Sequence, residues 1–180
     1  MTKNILAFGA SSSKSSINKQ LANYIAHSIK DSNVDLLDLN DYEMPIFSVD
    51  KENETGVPQL ALDFKAKIIG CDGIVISFAE HNGAYSSAFK NIFDWISRID
   101  NNVWDNKPMF LAATSPGGRG GATVLEIAVS KFDRMTKGGL VSYSLPSFFE
   151  NFDSAKGIAN EELKEVLTKR INEFEKELLA

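Results

Sequence analysis

Hydrophobic residues along this chain fall into two kinds of segment, short continuous runs and longer stripes at helical spacing. The continuous runs cover residues 4–9, 34–39, 73–78, 109–114 and 140–145 and end in polar or glycine-containing turns, as buried strands do. The stripes, with apolar residues three or four positions apart, lie in 17–29, 60–70, 87–99, 125–135 and 163–178. Strands therefore alternate with helices, which predicts an α/β fold with a mostly parallel sheet.

This alternation favours right-handed crossovers that place helices on both faces of the sheet. We expect a three-layer sandwich whose five parallel strands are ordered 2-1-3-4-5. The sequence contains no repeat, low-complexity tract or domain linker, so we expect residues 1–180 to form a single domain.

Two stretches between these elements lack a clear period. Residues 40–58 contain Pro45, Gly56 and Pro58, and a connection of this length in a compact domain is often functional. Its apolar side chains favour the simpler interpretation of a surface excursion pinned to the body of the domain: Tyr42, Met44, Ile46 and Phe47. Residues 146–159 are predicted to form a loop that carries three phenylalanines.

The composition restricts the partners that the chain takes. Its formal net charge is −5 without a basic cluster, so we expect neither nucleic acid nor a membrane as a partner. No apolar run approaches the ~20 residues of a membrane span. The first strand pattern begins directly after residues 1–3, so we expect no signal peptide.

Cysteine and histidine are scarce. Cys71 is the single cysteine, so no intrachain disulfide can form, and a cytoplasmic location is the simplest expectation. We expect Cys71 to be a buried, inert thiol because no base lies beside it in the sequence. His27 and His81 lie far apart and show no metal-ligand spacing.

The stretch from Ala10 to Asn18 joins the first strand to the first helix and contains five serines. Backbone N–H groups at a helix start are unpaired and carry the positive end of the helix dipole, so this stretch predicts an anion site. Lys14 is its only basic residue, so hydrogen bonds would do most of the recognition, as suits the phosphate monoester of FMN. A serine-rich turn that merely caps the helix is the alternative. The candidate binding residues are Ser11, Ser13, Ser16, Ile17 and Asn18.

Two further loops follow central strands, at the edge where open α/β sheets bind ligands. Residues 79–86 contain an Asn-Gly pair and small side chains that let backbone groups face a planar ring. His81 would stack on such a ring or donate a hydrogen bond to it, and the alternative is a loop histidine that contacts water. Residues 115–121 contain four glycines that permit close approach of a ligand. Arg119 would meet a phosphate of a dinucleotide or remain in solvent. The candidate cofactor-binding residues are Ala79, Glu80, His81, Asn82, Gly83, Ser115, Pro116, Gly117 and Gly118, with Arg119 as the NAD(P)H candidate.

The helix predicted for residues 87–99 carries more apolar residues than one face of a surface helix needs. We expect a second subunit to cover the surplus, which predicts a homodimer or homotetramer. Deep burial within its own domain is the alternative. Asp94 and Arg98 are four positions apart and are expected to form a local ion pair. Trp104, in the following turn, is expected to anchor packing.

Together the three loops favour FMN over a dinucleotide. In a sheet of the predicted order, the loops after strands one, three and four lie side by side where the strand order reverses. The first would take a phosphate, and the other two would flank a flat ring system. A dinucleotide site would have Gly-x-Gly-x-x-Gly in the first loop, whereas residues 10–18 contain no glycine.

These residues resemble the NADPH-dependent FMN reductases, a family that includes quinone, chromate and azo-dye reductases. The first loop is similar to the family's Gly-Ser-x-Arg-x-x-Ser-x-Asn, and the second to its Pro-Glu-Tyr-Asn-Gly with Lys-Asn and Asp-Trp following. The third loop resembles the glycine-rich segment beside the flavin, and Asp41-Tyr42 with Pro45 resembles the long second loop. The matching positions are Ala10, Ser11, Ser16, Asn18, Glu80, Asn82, Gly83, Lys90, Asn91, Asp94 and Trp95. Ser13 replaces the family's arginine, and Ala79 and His81 replace its proline and tyrosine.

The resemblance implies a flavodoxin-like fold that binds FMN, uses NADPH or NADH as co-substrate and reduces a small electron acceptor such as a quinone. The flavin would carry the redox chemistry, so we expect no catalytic acid or nucleophile among the side chains. Backbone N–H groups of the second and third loops would stabilise negative charge on the reduced flavin. The alternatives are an electron carrier or redox sensor that holds FMN without turnover, and a member that has lost FMN.

Overall fold

The computed structural model describes residues 2–180 and has a five-stranded parallel sheet at its centre. The order of the strands is β2-β1-β3-β6-β7, which confirms the predicted order of the five sheet strands. These strands are β1 (Lys3–Ala10), β2 (Ser32–Leu37), β3 (Gly73–Phe78), β6 (Met109–Thr114) and β7 (Leu140–Leu145). Two short hairpins lie outside this sheet: β4 (Glu80–His81) pairs with β5 (Ala84–Tyr85), and β8 (Phe152–Asp153) pairs with β9 (Gly157–Ile158).

Helices cover both faces of this sheet. One face carries α1 (Ile17–His27) and α7 (Glu161–Glu177), and the other carries α3 (Gln59–Gly70), α4 (Ser87–Ile96) and α5 (Ala122–Phe132). Two shorter helices, α2 (Val49–Thr55) and α6 (Phe148–Asn151), and a 3₁₀ turn (Leu39–Tyr42) lie in connections. The fold is the predicted three-layer sandwich.

The continuous apolar runs of the sequence are explained by two cores, one on each side of the sheet. Successive side chains of a strand point to opposite faces, so Ile74 and Ile76 enter the core under α3, α4 and α5, whereas Val75 enters the core under α1 and α7. A strand covered on both faces needs apolar residues at every position. β3 and β6 are accordingly buried throughout.

The weakest predicted strand is displaced. β2 pairs with β1 from Ser32 to Leu37, two residues before the predicted start. Asp31, with φ of 50°, makes the turn that ends the first helical segment, and its carbonyl accepts a hydrogen bond from the backbone N–H of Lys3. Because β2 is an edge strand with a mixed burial pattern, its hydrophobicity marks its ends poorly.

Residues 40–58 hold a helix that the sequence prediction missed. α2 buries no side chain, so it has no apolar stripe for periodicity to detect. Its remaining signals are the cap, where Ser48 Oγ accepts from the Lys51 N–H at 3.2 Å, and two acidic residues in the first turn. The segment is pinned to the domain as expected, since Met44 is buried and Phe47 packs against the core.

This segment packs over Trp95 on the outer apolar side of α4. Trp95 Nε1 donates to the Pro45 carbonyl at 2.7 Å, and the Phe47 ring meets the Trp95 ring edge-on at 5.0 Å. The apolar side chains of α4 are buried within the chain itself: Phe89, Ile92, Phe93, Trp95 and Ile96. Burial within the chain therefore accounts for the extra apolar residues of α4. These residues no longer support a second subunit, and the oligomeric state remains a prediction.

The ion pair predicted between Asp94 and Arg98 is wrong. Lys90 Nζ binds the Asp94 carboxylate at 2.6 Å, one helical turn earlier, and Arg98 Nε reaches Glu52 on α2 at 3.0 Å. The missed helix supplied the competing acid.

Two expectations about buried side chains are confirmed. Trp104 is fully buried, with its ring 5.0 Å from that of Phe132. Cys71 is 7% exposed, and burial raises the pKa of its thiol to about 11, so it is not a thiolate nucleophile at neutral pH.

Gly9 lets α1 lie directly on β1. A Cβ at this position would come within 3.0 Å of three backbone atoms of Asn18 and Lys19. Backbone atoms of a packed helix cannot yield as a flexible side chain can, so any larger residue must push the start of α1 away from the sheet.

We therefore predict that Gly9→Ala lowers the free energy of unfolding by about 1–3 kcal/mol, the usual cost of overpacking. Urea denaturation measures the change. The control is Gly70→Ala at the end of α3, where an added Cβ meets nothing within 4 Å. Equal stability of the two variants would contradict the close approach of α1.

Candidate functional site

The three predicted loops meet in one cleft at the carboxyl edge of the sheet. The cleft has a volume of about 270 Å³ and is bordered by the loops after β1, β3 and β6 and by the segment after β7. Most of the predicted cofactor residues line it: Ser11, Ser13, Ser16, Ile17, Asn18, Ala79, Glu80, His81, Ser115 and Pro116. The strand order brings these distant stretches together because parallel strands all end at the same edge.

Five predicted residues are not part of this lining. Asn82 and Gly83, with φ of 52° and 75°, form the tight turn of the β4–β5 hairpin, a structure the sequence prediction treated as an open loop. Gly117 and Gly118, also in the third loop, are exposed and lie outside the cleft lining. Arg119 is also exposed, and its guanidinium donates to Thr123 Oγ1 at 2.7 Å.

Three lining residues were missed: Ser15, Thr114 and Phe149. Ser15 belongs to the serine stretch already singled out, and Thr114 is the last residue of a predicted strand. Phe149 follows the last sheet strand, where α6 and the β8–β9 hairpin replace the predicted loop. Its only signal in the sequence was an aromatic residue placed after the carboxyl end of a strand.

The start of α1 presents hydrogen-bond donors to the cleft. Ser16 Oγ accepts from the Lys19 N–H and Ser11 Oγ accepts from the Ser13 N–H, each at 3.1 Å, so both hydroxyl protons are free to be donated outward. Within residues 2–180, no acceptor pairs with the backbone N–H groups of Ser15, Ile17 or Asn18. A set of donors at the positive end of a helix fits an anion.

This donor set suits an anionic group better than a cation. Across the described part of the chain, no group of three or more His, Cys, Asp or Glu residues could hold a metal ion. The same residues include no helix that is long and apolar enough to cross a membrane.

The side chain of Asn18 serves a purpose that the sequence did not indicate. Its Oδ1 accepts hydrogen bonds from Ser77 Oγ at 2.7 Å and from the Thr114 N–H at 3.0 Å, while its Nδ2 donates to the Thr114 carbonyl at 3.1 Å. Asn18 is 3% exposed, and its two partners lie in β3 and β6. The amide therefore fastens the first turn of α1 to the ends of two strands, and its backbone N–H remains the group available to a ligand.

Further hydrogen bonds connect the remaining loops. Ser86 Oγ donates to the Ala10 carbonyl at 2.8 Å, which joins the end of the second loop to the end of β1. Glu80 Oε2 accepts the Val124 N–H at 3.1 Å, so the carboxylate caps the first turn of α5, whose N-cap residue is a glycine without a side-chain acceptor. The cleft walls are thus fixed to one another.

The lysine nearest the helix start is held by another group. Lys19 Nζ binds Asp38 Oδ2 at 2.5 Å. This hydrogen bond, with a second from the Asn40 N–H, holds the pKa of the Asp38 carboxyl below its usual value. Since Lys19 is paired with Asp38 and Lys14 lies outside the cleft lining, neutral donors of the serine loop dominate the anion site.

The family model described as NADPH-dependent FMN reductase matches residues 3–147. The chain is 34% identical over 111 residues to the 2-hydroxy-1,4-benzoquinone reductase of a Burkholderia species. This matched stretch covers 61% of the present chain and 58% of the reductase. The chain is 31% identical over 80 residues to a quinone reductase of Escherichia coli K12, covering 44% and 43%. The matched stretches span about half the length of these curated relatives.

Similar solved structures support the fold. FerB, a flavoenzyme NAD(P)H:(acceptor) oxidoreductase of Paracoccus denitrificans, superposes with a TM-score of 0.77 at 23% identity, over 98% of this chain and 97% of that one. An oxidoreductase of Corynebacterium diphtheriae superposes with a TM-score of 0.73 at 18% identity, over 99% and 97%. Because both identities are below 25%, these similarities support the flavodoxin-like fold and nothing more specific.

The buried amide of Asn18 gives a direct prediction about stability. Asn18→Ala leaves the Ser77 hydroxyl and both backbone groups of Thr114 without their partner, so we expect the free energy of unfolding to fall by about 2–4 kcal/mol. Urea denaturation measures the loss. The matched control is Asn23→Ala on the same helix, since no hydrogen bond of the Asn23 side chain is found in residues 2–180. A loss no larger than that of the control would contradict the fastening role.

Proposed function

The chain belongs to the NADPH-dependent FMN reductase family, and we propose that it is an FMN-dependent oxidoreductase that passes hydride from NAD(P)H to a small acceptor such as a quinone. One observation carries the proposal: the donor-rich start of α1 shares a cleft with the loops after β3 and β6. The names of the two curated relatives support a quinone as the class of acceptor. A homodimer or homotetramer and a cytoplasmic location remain predictions.

The start of α1 would bind the phosphate of FMN. The backbone N–H groups of Ser15, Ile17 and Asn18 and the hydroxyls of Ser11 and Ser16 are the donors. Charge-assisted hydrogen bonds to an anion are stronger than those between neutral groups, so a donor set without arginine suffices for a monoester. Fixed attachment of α1 to β3 and β6 would keep these donors in place before the ligand arrives.

The second and third loops would hold the flat ring system of the flavin. Ala79 and Pro116 offer small apolar contacts, and Ala79 is itself buried beside the strand end. The Glu80 carboxylate, by capping α5, would hold the second loop against the first turn of that helix. His81 is exposed at the cleft and would border the ring.

Bound FMN would supply the acceptance and return of hydride, and the protein would supply binding, orientation and electrostatics. Backbone N–H groups of the two loops would stabilise the negative charge of the reduced cofactor. No side chain of the cleft is assigned as an acid or nucleophile. NAD(P)H and the acceptor would use the open side of the cleft in turn.

The assay for this function is oxidation of NADPH and NADH by the FMN-loaded protein with benzoquinone as acceptor. We predict FMN-dependent oxidation of at least one of the two nucleotides. Bound FMN that stays oxidised under an excess of both nucleotides would instead establish an electron carrier or redox sensor, for which the net charge of −5 fits a basic partner. Protein that takes up no added FMN would reject both functions.

Ser16 and Ser48 form a matched pair for testing the anion site. Each caps a helix by accepting the N–H three residues later, Ser16 on α1 in the cleft and Ser48 on α2 outside it. Ser16→Ala should weaken FMN binding about tenfold, because it removes one hydrogen bond to a charged group. Ser48→Ala should leave the FMN affinity unchanged. Flavin fluorescence titration measures both, and equal effects would contradict the assignment of the phosphate to α1.

A further inference from the structure

Phe149 is an exposed aromatic side chain at the cleft. The residue is 72% exposed, and it is the one aromatic residue among the exposed large hydrophobic residues of positions 2–180. Of those side chains, it is also the one that lines the cleft. Ligand clefts are commonly lined by aromatic side chains, and an exposed ring in such a lining is available for contact with a ligand.

The position of this ring is fixed by the site itself. The Phe148 N–H donates to the Ser115 carbonyl and the Ser147 N–H donates to the Gly117 carbonyl, each at 3.0 Å, so α6 is tied to the third loop. Phe148 is buried and stacks on Phe152 at 4.8 Å. The segment that presents Phe149 is therefore part of the scaffold of the cleft.

The backbone before Phe149 adopts a conformation that is costly for a residue with a side chain. Ser147 has φ of 45° and ψ of 59°, in the left-handed region. Asn151 Nδ2 donates to the Pro146 carbonyl at 2.9 Å and closes this turn. The turn directs Phe148 into the core and leaves the ring of Phe149 outside. The contacts around the turn must hold Ser147 in this conformation against about 1 kcal/mol of backbone strain.

Phe149 lies on the α1 side of the cleft. Phe148 joins the core formed with α1, and Phe152 meets Tyr24 of that helix edge-on at 5.5 Å. The second loop is anchored on the opposite face of the sheet, where Glu80 caps α5. A flavin whose phosphate lies on α1 and whose ring lies between the second and third loops would thus place its phosphate end nearest Phe149.

We propose that Phe149 is a water-excluding wall over the phosphate end of bound FMN, an inference that rests on the proposed function. The donors there are serine hydroxyls and backbone N–H groups, and no lysine or arginine of residues 2–180 lines the cleft. Hydrogen bonds to an anion strengthen when nearby water is replaced by apolar atoms, since the local dielectric falls. The ring strengthens phosphate recognition without adding a charge.

The test compares the affinities of Phe149→Ala, Phe149→Leu and wild-type protein for FMN and for riboflavin, which lacks the phosphate, by flavin fluorescence titration. Phe149→Ala should raise the dissociation constant for FMN about five- to tenfold and change that for riboflavin less than about twofold. Phe149→Leu, which keeps an apolar wall, should lie close to wild type. Leu179→Ala is the control, because Leu179 is 79% exposed and lies outside the cleft lining.

A second readout is the salt dependence of FMN binding, which should become steeper in Phe149→Ala as the phosphate is exposed to solvent ions. Equal weakening for FMN and riboflavin would overturn the proposal by placing the ring against the isoalloxazine, and unchanged FMN affinity would also overturn it. Wild-type protein that fails to bind FMN would reject the proposed function first. Loss of FMN binding in Ser16→Ala but not in Phe149→Ala would reject this inference alone.

Discussion

The amide of Asn18 joins the start of α1 to the carboxyl ends of β3 and β6, and the arrangement of the cleft depends on it. A parallel sheet leaves its last carbonyl and N–H groups at the carboxyl edge, and a buried polar group without a partner costs free energy. Asn18 satisfies both backbone groups of Thr114 and the hydroxyl of Ser77 with one side chain. The first turn of α1 is thereby fixed over β3 and β6.

Fixing α1 in this position leaves a set of unpaired donors facing the cleft. The missing Cβ of Gly9 allows the helix to come close enough for the Asn18 amide to reach the strand ends. The backbone N–H groups that begin the helix then point away from the core and have no partner in the described residues. Stability and binding are coupled here, because the contacts that pack the helix also orient the donors.

Much of the fold was predictable because both faces of the sheet are covered. β3 and β6 are covered on both faces and buried throughout, and their boundaries matched the predicted runs. The boundaries of β7 also matched, although it is an edge strand whose alternate residues are only half-buried. Elements that bury little gave no such signal: α2 has no buried side chain, and the β4–β5 hairpin is two residues long on each side. The interface argument for α4 failed because the sequence could not show that residues 40–58 fold back over Trp95.

The lining of the cleft was largely predictable from the sequence, whereas the hydrogen bonds of its side chains were not. Strand order alone brings Ser16, Ala79 and Ser115 to one edge, and all three line the cleft. The inward orientation of the Asn18 side chain depends on partners 59 and 96 residues away in sequence, which no local pattern encodes. Phe149 was missed for the same reason, since its position depends on the third loop and on α1.

A crystal structure of the protein with FMN tests the central claim most directly. The account predicts that the FMN phosphate lies within hydrogen-bond distance of the backbone N–H groups of Ser15, Ile17 and Asn18, with the flavin ring between the loops after β3 and β6. A flavin bound outside this cleft, or a phosphate that makes no contact with the start of α1, would contradict it.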